Sequence, residues 1–156
     1  MQITLLCVGK LKETFYRDAC AEYEKRLSRY HKLTILEVAD APVKDDSPAS
    51  IARALEKEAE RLIPHMKKGY AVALALDGAM PDTPGLLQKM EGYARLGQPL
   101  LFIIGGSHGL DQRVLAMAKE RLSLSPLTFP HNLARLVLLE QLYRTAKMDA
   151  GETYHK

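Results

Sequence analysis

The residues of this chain best suited to chemistry lie after position 100. The apolar run Leu100-Leu-Phe-Ile-Ile104 stops at Gly105-Gly106-Ser-His-Gly109, which reads as a buried strand ending in a loop. Glycines there either turn the chain or let a ligand or a second backbone come close. A second loop, Leu122-Ser-Leu-Ser-Pro-Leu-Thr-Phe-Pro130, holds two prolines and three hydroxyls. Pro126 and Pro130 remove two amide donors and stiffen the path, so the amides of Leu127, Thr128 and Phe129 are left to read the edge of a planar heterocycle. A rigid connection with Leu127 and Phe129 in the core explains the same residues equally well. Farther on, Arg135, Glu140 and Arg144 lie in a stretch of helical composition from His131 to Met148. Glu140 and Arg144 are one turn apart, either an ordinary surface ion pair or a carboxylate that orients a guanidinium. The chain finishes Tyr154-His155-Lys156, an aromatic, an imidazole and a cation. Such groups stack on a base and handle a proton, where a terminal tail is more often simply disordered.

Other chemistries find no support. A Walker loop needs G-x-x-x-x-G-K-[ST], and Gly9-Lys10 lacks both the upstream glycine and the hydroxyl. A dinucleotide site needs G-x-G-x-x-G after the first strand, where this chain has Val8-Gly9-Lys10-Leu11. Cys7 and Cys20 have no C-x-x-C partner and no histidine at ligand spacing, so they read as buried thiols and no metal is expected. A net charge of +3 permits an anionic partner without the dense basic stripe of a protein that binds nucleic acid by charge alone. The longest apolar runs are far too short for a bilayer, and Met1-Gln-Ile-Thr-Leu lacks the features of a secretory signal; a cytoplasmic location is expected.

The elements that must position these groups are legible in order. At 156 residues and 47% hydrophobic content the chain is expected to form a single domain, 1–156. Gln2 to Val8, Leu33 to Val38, Tyr70 to Leu76 and Leu100 to Ile104 read as strands. From Glu13 to Tyr30, Tyr16, Cys20, Tyr23, Leu27 and Tyr30 recur at helical spacing, so the tyrosines are expected in the core. A polar stretch from Ala39 to Pro48 reads as a loop. Ser47-Pro48 starts a helix that Pro64 should end, with Ile51, Leu55, Ala59 and Leu62 inward; Thr83-Pro84 starts another that runs to about Leu96. Asp111 to Arg121 reads as a helical piece. The alternation of strands with helices predicts an α/β fold with a mostly parallel sheet, in which ligands sit at the carboxyl ends of strands. Leu76-Asp77-Gly78, Gly105-Gly106 and Leu124 to Phe129 should then converge on one pocket. The final helix is apolar almost all round, which calls for a second protein surface, most simply another copy of the chain.

Four separated motifs together resemble one family. Ile103-Ile-Gly-Gly-Ser-His-Gly-Leu110, Leu122 to His131, Arg135 with Leu139-Glu-Gln-Leu-Tyr-Arg144, and Tyr154-His155-Lys156 are similar to the ribosomal large-subunit pseudouridine N3-methyltransferases of the SPOUT superfamily. Leu6 to Glu13 and Glu22 to Arg26 resemble them too, so the likeness covers essentially the whole chain. The resemblance implies a trefoil knot in the C-terminal half, bound S-adenosyl-L-methionine, a homodimer, and methylation of 23S rRNA on the assembled ribosome. It places the cofactor on Leu76, Gly105, Leu124, Ser125, Pro126, Leu127, Thr128 and Phe129, with Gly106 beside them. It places substrate-side groups at Arg135, Glu140, Arg144, Tyr154 and His155. His155 is then expected to handle the N3 proton, with Arg144 or Arg135 stabilising a developing oxyanion or gripping phosphate and Glu140 orienting an arginine. A non-enzymatic nucleotide-binding module and a structural ribosome-associated dimer are the rival readings. Binding of S-adenosylmethionine separates the first, and methyl transfer the second.

Overall fold

The computed structural model describes residues 1–154, in which five strands alternate with five helices and form a single parallel sheet. The strands are β1 (Gln2–Val8), β2 (Lys32–Val38), β3 (Tyr70–Ala79), β4 (Leu100–Ile104) and β5 (Glu120–Leu122). The helices are α1 (Thr14–Leu27), α2 (Pro48–Met66), α3 (Thr83–Arg95), α4 (Gln112–Met117) and α5 (His131–Asp149). Strand order is β2-β1-β4-β3-β5, with Ile3 opposite Leu100 and Val72 opposite Phe102. Side chains alternate across the sheet, so one strand serves two cores. Ile3, Leu5 and Cys7 pack with Cys20, Leu27, Met90, Leu138 and Leu142 under α1, α3 and α5, whereas Leu6 and Val8 pack with Ala59, Leu62 and Val114 under α2 and α4. Helices on both faces explain why every residue of β4 is buried and why its sequence shows no polar alternation. Cys7 and Cys20 are free and buried; desolvation pushes their thiols up to about 12 and about 11, so both stay protonated. Among the described residues no group of three metal-ligating side chains occurs, and no helix is long and apolar enough to cross a membrane.

Several local expectations give way to tertiary contacts. The helical piece expected to Arg121 stops at Met117, and Glu120–Leu122 becomes β5. The amide of Lys119 donates to the carbonyl of Ala71 at 2.8 Å. The Glu120 carboxylate pairs with Lys89 and accepts the Tyr93 hydroxyl at 2.6 Å. Together these contacts outweigh the helix propensity of a short segment. Beside β5, strand β3 runs to Ala79 rather than Leu76, with a register shift between Leu74 and Ala79. A Cβ on Gly78 would lie 2.6 Å from the backbone of Arg121 and Leu122, so only glycine lets the two strands cross there.

Ser47 caps α2 as expected, accepting from the amide of Ser50 at 3.2 Å, but Pro64 does not end that helix. A proline in the last turn forfeits one hydrogen bond, and Met66 beyond it is buried in the second core. Ala59 and Leu62 face inward, while Ile51 and Leu55 are only half-buried. The cap of α3 is Asp82, not Thr83; its carboxylate accepts from Gly85, which frees the Thr83 hydroxyl to donate to Gln141. Tyr16, Tyr23 and Tyr30 are half-buried rather than core, because α1 turns Cys20 and Leu27 to the sheet instead. The loop between β2 and α2 is as expected.

Helix α5 needs less outside cover than its composition suggests. It packs between α1 and α3, which bury Leu138, Leu139, Leu142 and Ala146 and leave Leu133, Leu136, Val137 and Tyr143 half-buried. Most of its apolar circumference is thus covered by its own chain.

Candidate functional site

Because β4, β3 and β5 are parallel neighbours, the loops that leave their carboxyl ends lie side by side. They enclose a cleft of about 1070 Å³. Leu76, Gly105, Gly106, Leu124, Ser125, Leu127, Thr128 and Phe129 all line it; Pro126, in the same loop, does not. The convergence anticipated from the alternation of elements is therefore present. Ile104, Leu115 and Leu122 form an apolar interior, and Leu76 and Leu127, 71% and 69% exposed, form an apolar lip. A flat ring entering between them would remove both from water.

The two loops are held open by different means. The Gly105–Gly109 turn is stitched by the Gly109 amide donating to the Gly106 carbonyl at 3.2 Å. A Cβ on Gly105 would stand 2.4 Å from the Gly109 carbonyl oxygen, so the space beside Gly105 is filled by backbone rather than reserved for a ligand. In the second loop the Ser123 hydroxyl donates to the Ser125 carbonyl at 3.1 Å and the Ser125 hydroxyl accepts from the Leu127 amide at 3.0 Å. Leu127 is therefore not a free donor, contrary to expectation. The amides of Thr128 and Phe129 make no hydrogen bond within the described residues and remain available to a ligand.

Sequence reasoning missed part of the wall. Ser107, His108, Pro130, His131 and Ala134 also line the cleft, whereas Asp77 lines it as expected beside Leu76. Asp77 pairs with Arg121 at 2.8 Å, on the rim. The His131 imidazole is held below its usual range by burial and then by the charge of Arg135, so it is neutral near pH 7. Ser107 and Pro130 each adjoin a residue already assigned to the site, and following the two loops two residues further would have reached His108 and His131.

The substrate-side candidates fall elsewhere. Arg144 donates to Glu140 at 2.6 Å, the Tyr154 hydroxyl donates to the same carboxylate at 2.8 Å, and the guanidinium stacks 3.9 Å from the centre of the Tyr154 ring. Burial and that hydrogen bond push the Tyr154 phenol far up, so it stays a donor. None of the three lines the cleft. Along α5, Arg144 is roughly 15 Å beyond Ala134, the last helical residue of the cleft wall. His155 lies outside the described residues, as does Lys156.

Arg135 has a different part from the expected one. Its side chain is 4% exposed, donating to Glu37 at 2.9 Å and to the Gly9 carbonyl at 3.2 Å. A guanidinium so enclosed cannot grip a phosphate without abandoning a desolvated carboxylate; it ties α5 to the ends of β1 and β2. Arg135→Ala is expected to destabilise the fold by roughly 2 to 3 kcal/mol in chemical denaturation, near the lower end for breaking a buried pair because Glu37 keeps some solvent access. A loss under about 1 kcal/mol would mean the pair contributes little.

Comparison with known proteins follows the same outline. The family model described as "Predicted SPOUT methyltransferase" matches residues 1–155. The chain is 46% identical over 159 residues to "Ribosomal RNA large subunit methyltransferase H" of Ruminiclostridium cellulolyticum, and 45% identical over 159 residues to the protein of that name from Bifidobacterium animalis subsp. lactis; each match covers 100% of both chains. Among solved structures it resembles the tRNA (m1G37) methyltransferase of Aquifex aeolicus, with a TM-score of 0.53 at 13% identity over 92% of this chain and 70% of that one. It also resembles the SpoU methyltransferase AviRb of Streptomyces viridochromogenes in complex with AdoMet, with a TM-score of 0.50 at 12% identity over 97% and 59%. At such identities the structures speak for the fold alone.

Proposed function

The chain belongs to the SPOUT methyltransferase family, and on that premise we propose that it is an S-adenosyl-L-methionine-dependent enzyme that methylates N3 of a pseudouridine in 23S rRNA, on the assembled ribosome. The observation that carries the reading is the cleft at the ends of β3, β4 and β5, in a chain matched end to end by relatives named as ribosomal RNA large subunit methyltransferases. Its volume and lining suit the cofactor: an apolar floor and lip for a purine, free amides at Thr128 and Phe129 for the ring edge, and Asp77 at the rim for a cationic or hydroxylated end. When bound, the cofactor supplies a methyl group already activated as a sulfonium, whose acceptor needs only to be oriented and deprotonated.

The residues of the chain provide that orientation. Leu76 and Leu127 close over the purine and exclude water. Arg144, its charge steered by Glu140, faces the developing negative oxygen of the target imide, and Tyr154 offers a stacking face. His155 takes the N3 proton. Since Glu140, Arg144 and Tyr154 lie away from the cleft of their own chain, they complete the cleft of a second copy, which makes the working unit a homodimer of single-domain chains, 1–156. The path from β3 through β4 and β5 to α5 carries the trefoil knot of the family, and the enzyme works in the cytoplasm.

The test is transfer of labelled methyl from S-adenosylmethionine to ribosomes that lack the modification, with mapping of the product. Label on N3 of one large-subunit pseudouridine is expected. Label on another atom, or none, would overturn the assignment.

A further inference from the structure

One exposed ring is unexplained by the site above. Phe15, in the first turn of α1, is 66% exposed, and among the described residues it is the only Phe or Tyr to stand so open. A lone exposed apolar side chain needs no explanation, but this one has company. Tyr16 packs against it with ring centroids 4.5 Å apart, which fixes the ring instead of leaving it free to turn. Lys10, Lys12 and Arg17 flank it, all exposed and none in an ion pair among the described residues. Of the nearby acids, Glu13 accepts from the uncharged Asn132 amide at 3.3 Å and Asp18 follows Arg17, so over residues 10–18 three cations face two carboxylates and the stretch keeps a small positive excess.

The segment is also anchored, and anchored beside the cleft. Leu11 packs into the main core between the two lysines, and the Gly9 carbonyl accepts from buried Arg135. Asn132, which holds Glu13, directly follows Pro130 and His131 of the cleft wall. The chain thus presents, on a segment tied to Asn132 beside the cleft wall, an exposed aromatic ring packed on Tyr16 with three exposed cations within five positions of it in the sequence.

We propose that Lys10–Arg17 is a docking platform for single-stranded RNA flanking the target nucleotide, with one base stacked on Phe15 and backbone phosphates met by Lys10, Lys12 and Arg17. The choice of RNA follows from charge complementarity and from the sequence tolerance of stacking on a π-face, and it rests on the rRNA-methylating function proposed above. Stacking holds a base splayed from its helix, which the chemistry at N3 requires of the adjoining nucleotide.

The platform is tested with Phe15→Ala, Phe15→Trp and a triple variant of Lys10→Ala, Lys12→Ala and Arg17→Ala. Affinity for large ribosomal subunits, and for a short unstructured RNA, is measured as a function of salt. S-adenosylmethionine calorimetry and sedimentation are run alongside. Phe15→Ala should weaken RNA binding roughly tenfold or more, Phe15→Trp should retain it, and the triple variant should flatten the salt dependence by about two in logarithmic slope. Cofactor affinity and sedimentation should not change. Unaltered RNA affinity, no binding by the wild-type chain, or a sedimentation shift in Phe15→Ala would each overturn the platform, the last by showing that the ring serves contact between copies. RNA binding that depends on Phe15 in a protein that transfers no methyl group would leave the platform standing and sink the enzymatic reading.

Discussion

Gly105→Val is expected to abolish S-adenosylmethionine binding while leaving the sheet folded. The reason lies in backbone against backbone. A Cβ at this position meets the Gly109 carbonyl oxygen at 2.4 Å, its carbon at 2.6 Å and its Cα at 3.1 Å, and none of these is the flexible end of a side chain. Residues 106 and 109 are moreover bridged, and Gly109 holds a φ of 80°, so the turn has no slack to take up. The loop must open, and with it goes the wall of the cleft opposite Leu124 to Phe129. Even Gly105→Ala should weaken binding severely, since the clash begins at Cβ. Gly109→Ala is the contrasting variant: a Cβ there meets no atom within 4 Å, and the cost is the left-handed backbone alone, roughly 1 to 2 kcal/mol. Calorimetry on variants with native circular dichroism checks the series. Wild-type affinity in a folded Gly105→Val protein would show that the loop does not shape the cofactor site.

The second large effect is expected at the other end of the chain and should spare the cofactor. Of the stretch Thr153 to Lys156, the described residues Thr153 and Tyr154 do not line the cleft, so on its removal S-adenosylmethionine affinity should hold while methyl transfer collapses. What is lost is the Tyr154 ring, stacked on Arg144 and edge-on to Tyr143 at 5.5 Å, and the hydroxyl bonded to Glu140. Without it Arg144 loses the face that fixes its plane. Tyr154→Ala alone should lower the single-turnover rate, or the ribosome affinity, about tenfold or more. Tyr154→Phe keeps the ring and drops the hydrogen bond, so it should fall between. Mixed dimers of a tail-deleted chain with a Gly105→Val chain then locate the tail. One working site is expected if it acts across the dimer, because the deleted chain keeps its cofactor and borrows the intact tail, and none if it acts within its own subunit. A deletion variant that methylates ribosomes at the wild-type rate would remove the tail from the mechanism.

Much of this architecture is determined by short-range pattern and was readable without coordinates. The apolar run Leu100 to Ile104, bounded by glycine, reads as a buried strand, and Ser47 ahead of Pro48 caps its helix from three residues away, although Thr83 ahead of Pro84 yields that part to Asp82. The parallel sheet and the meeting of Leu76, Gly105 and Leu124 to Phe129 follow from the alternation of such elements. What only the tertiary structure decided depends on partners far along the chain. Glu120–Leu122 is a strand because Ala71 and Tyr93 hold it, and nothing within those three residues says so. Arg135 is a structural cation because Glu37, 98 positions away, takes its charge. Ser125 spends its hydroxyl on the Leu127 amide, a contact set by how the loop folds back. The division of the candidate site into a cleft and a distant Glu140–Arg144–Tyr154 cluster likewise depends on the length and direction of α5. Propensity acts through a residue's own backbone and its near neighbours, whereas the role of a charge or a hydrogen-bonding group is set by which partner reaches it after the chain has folded.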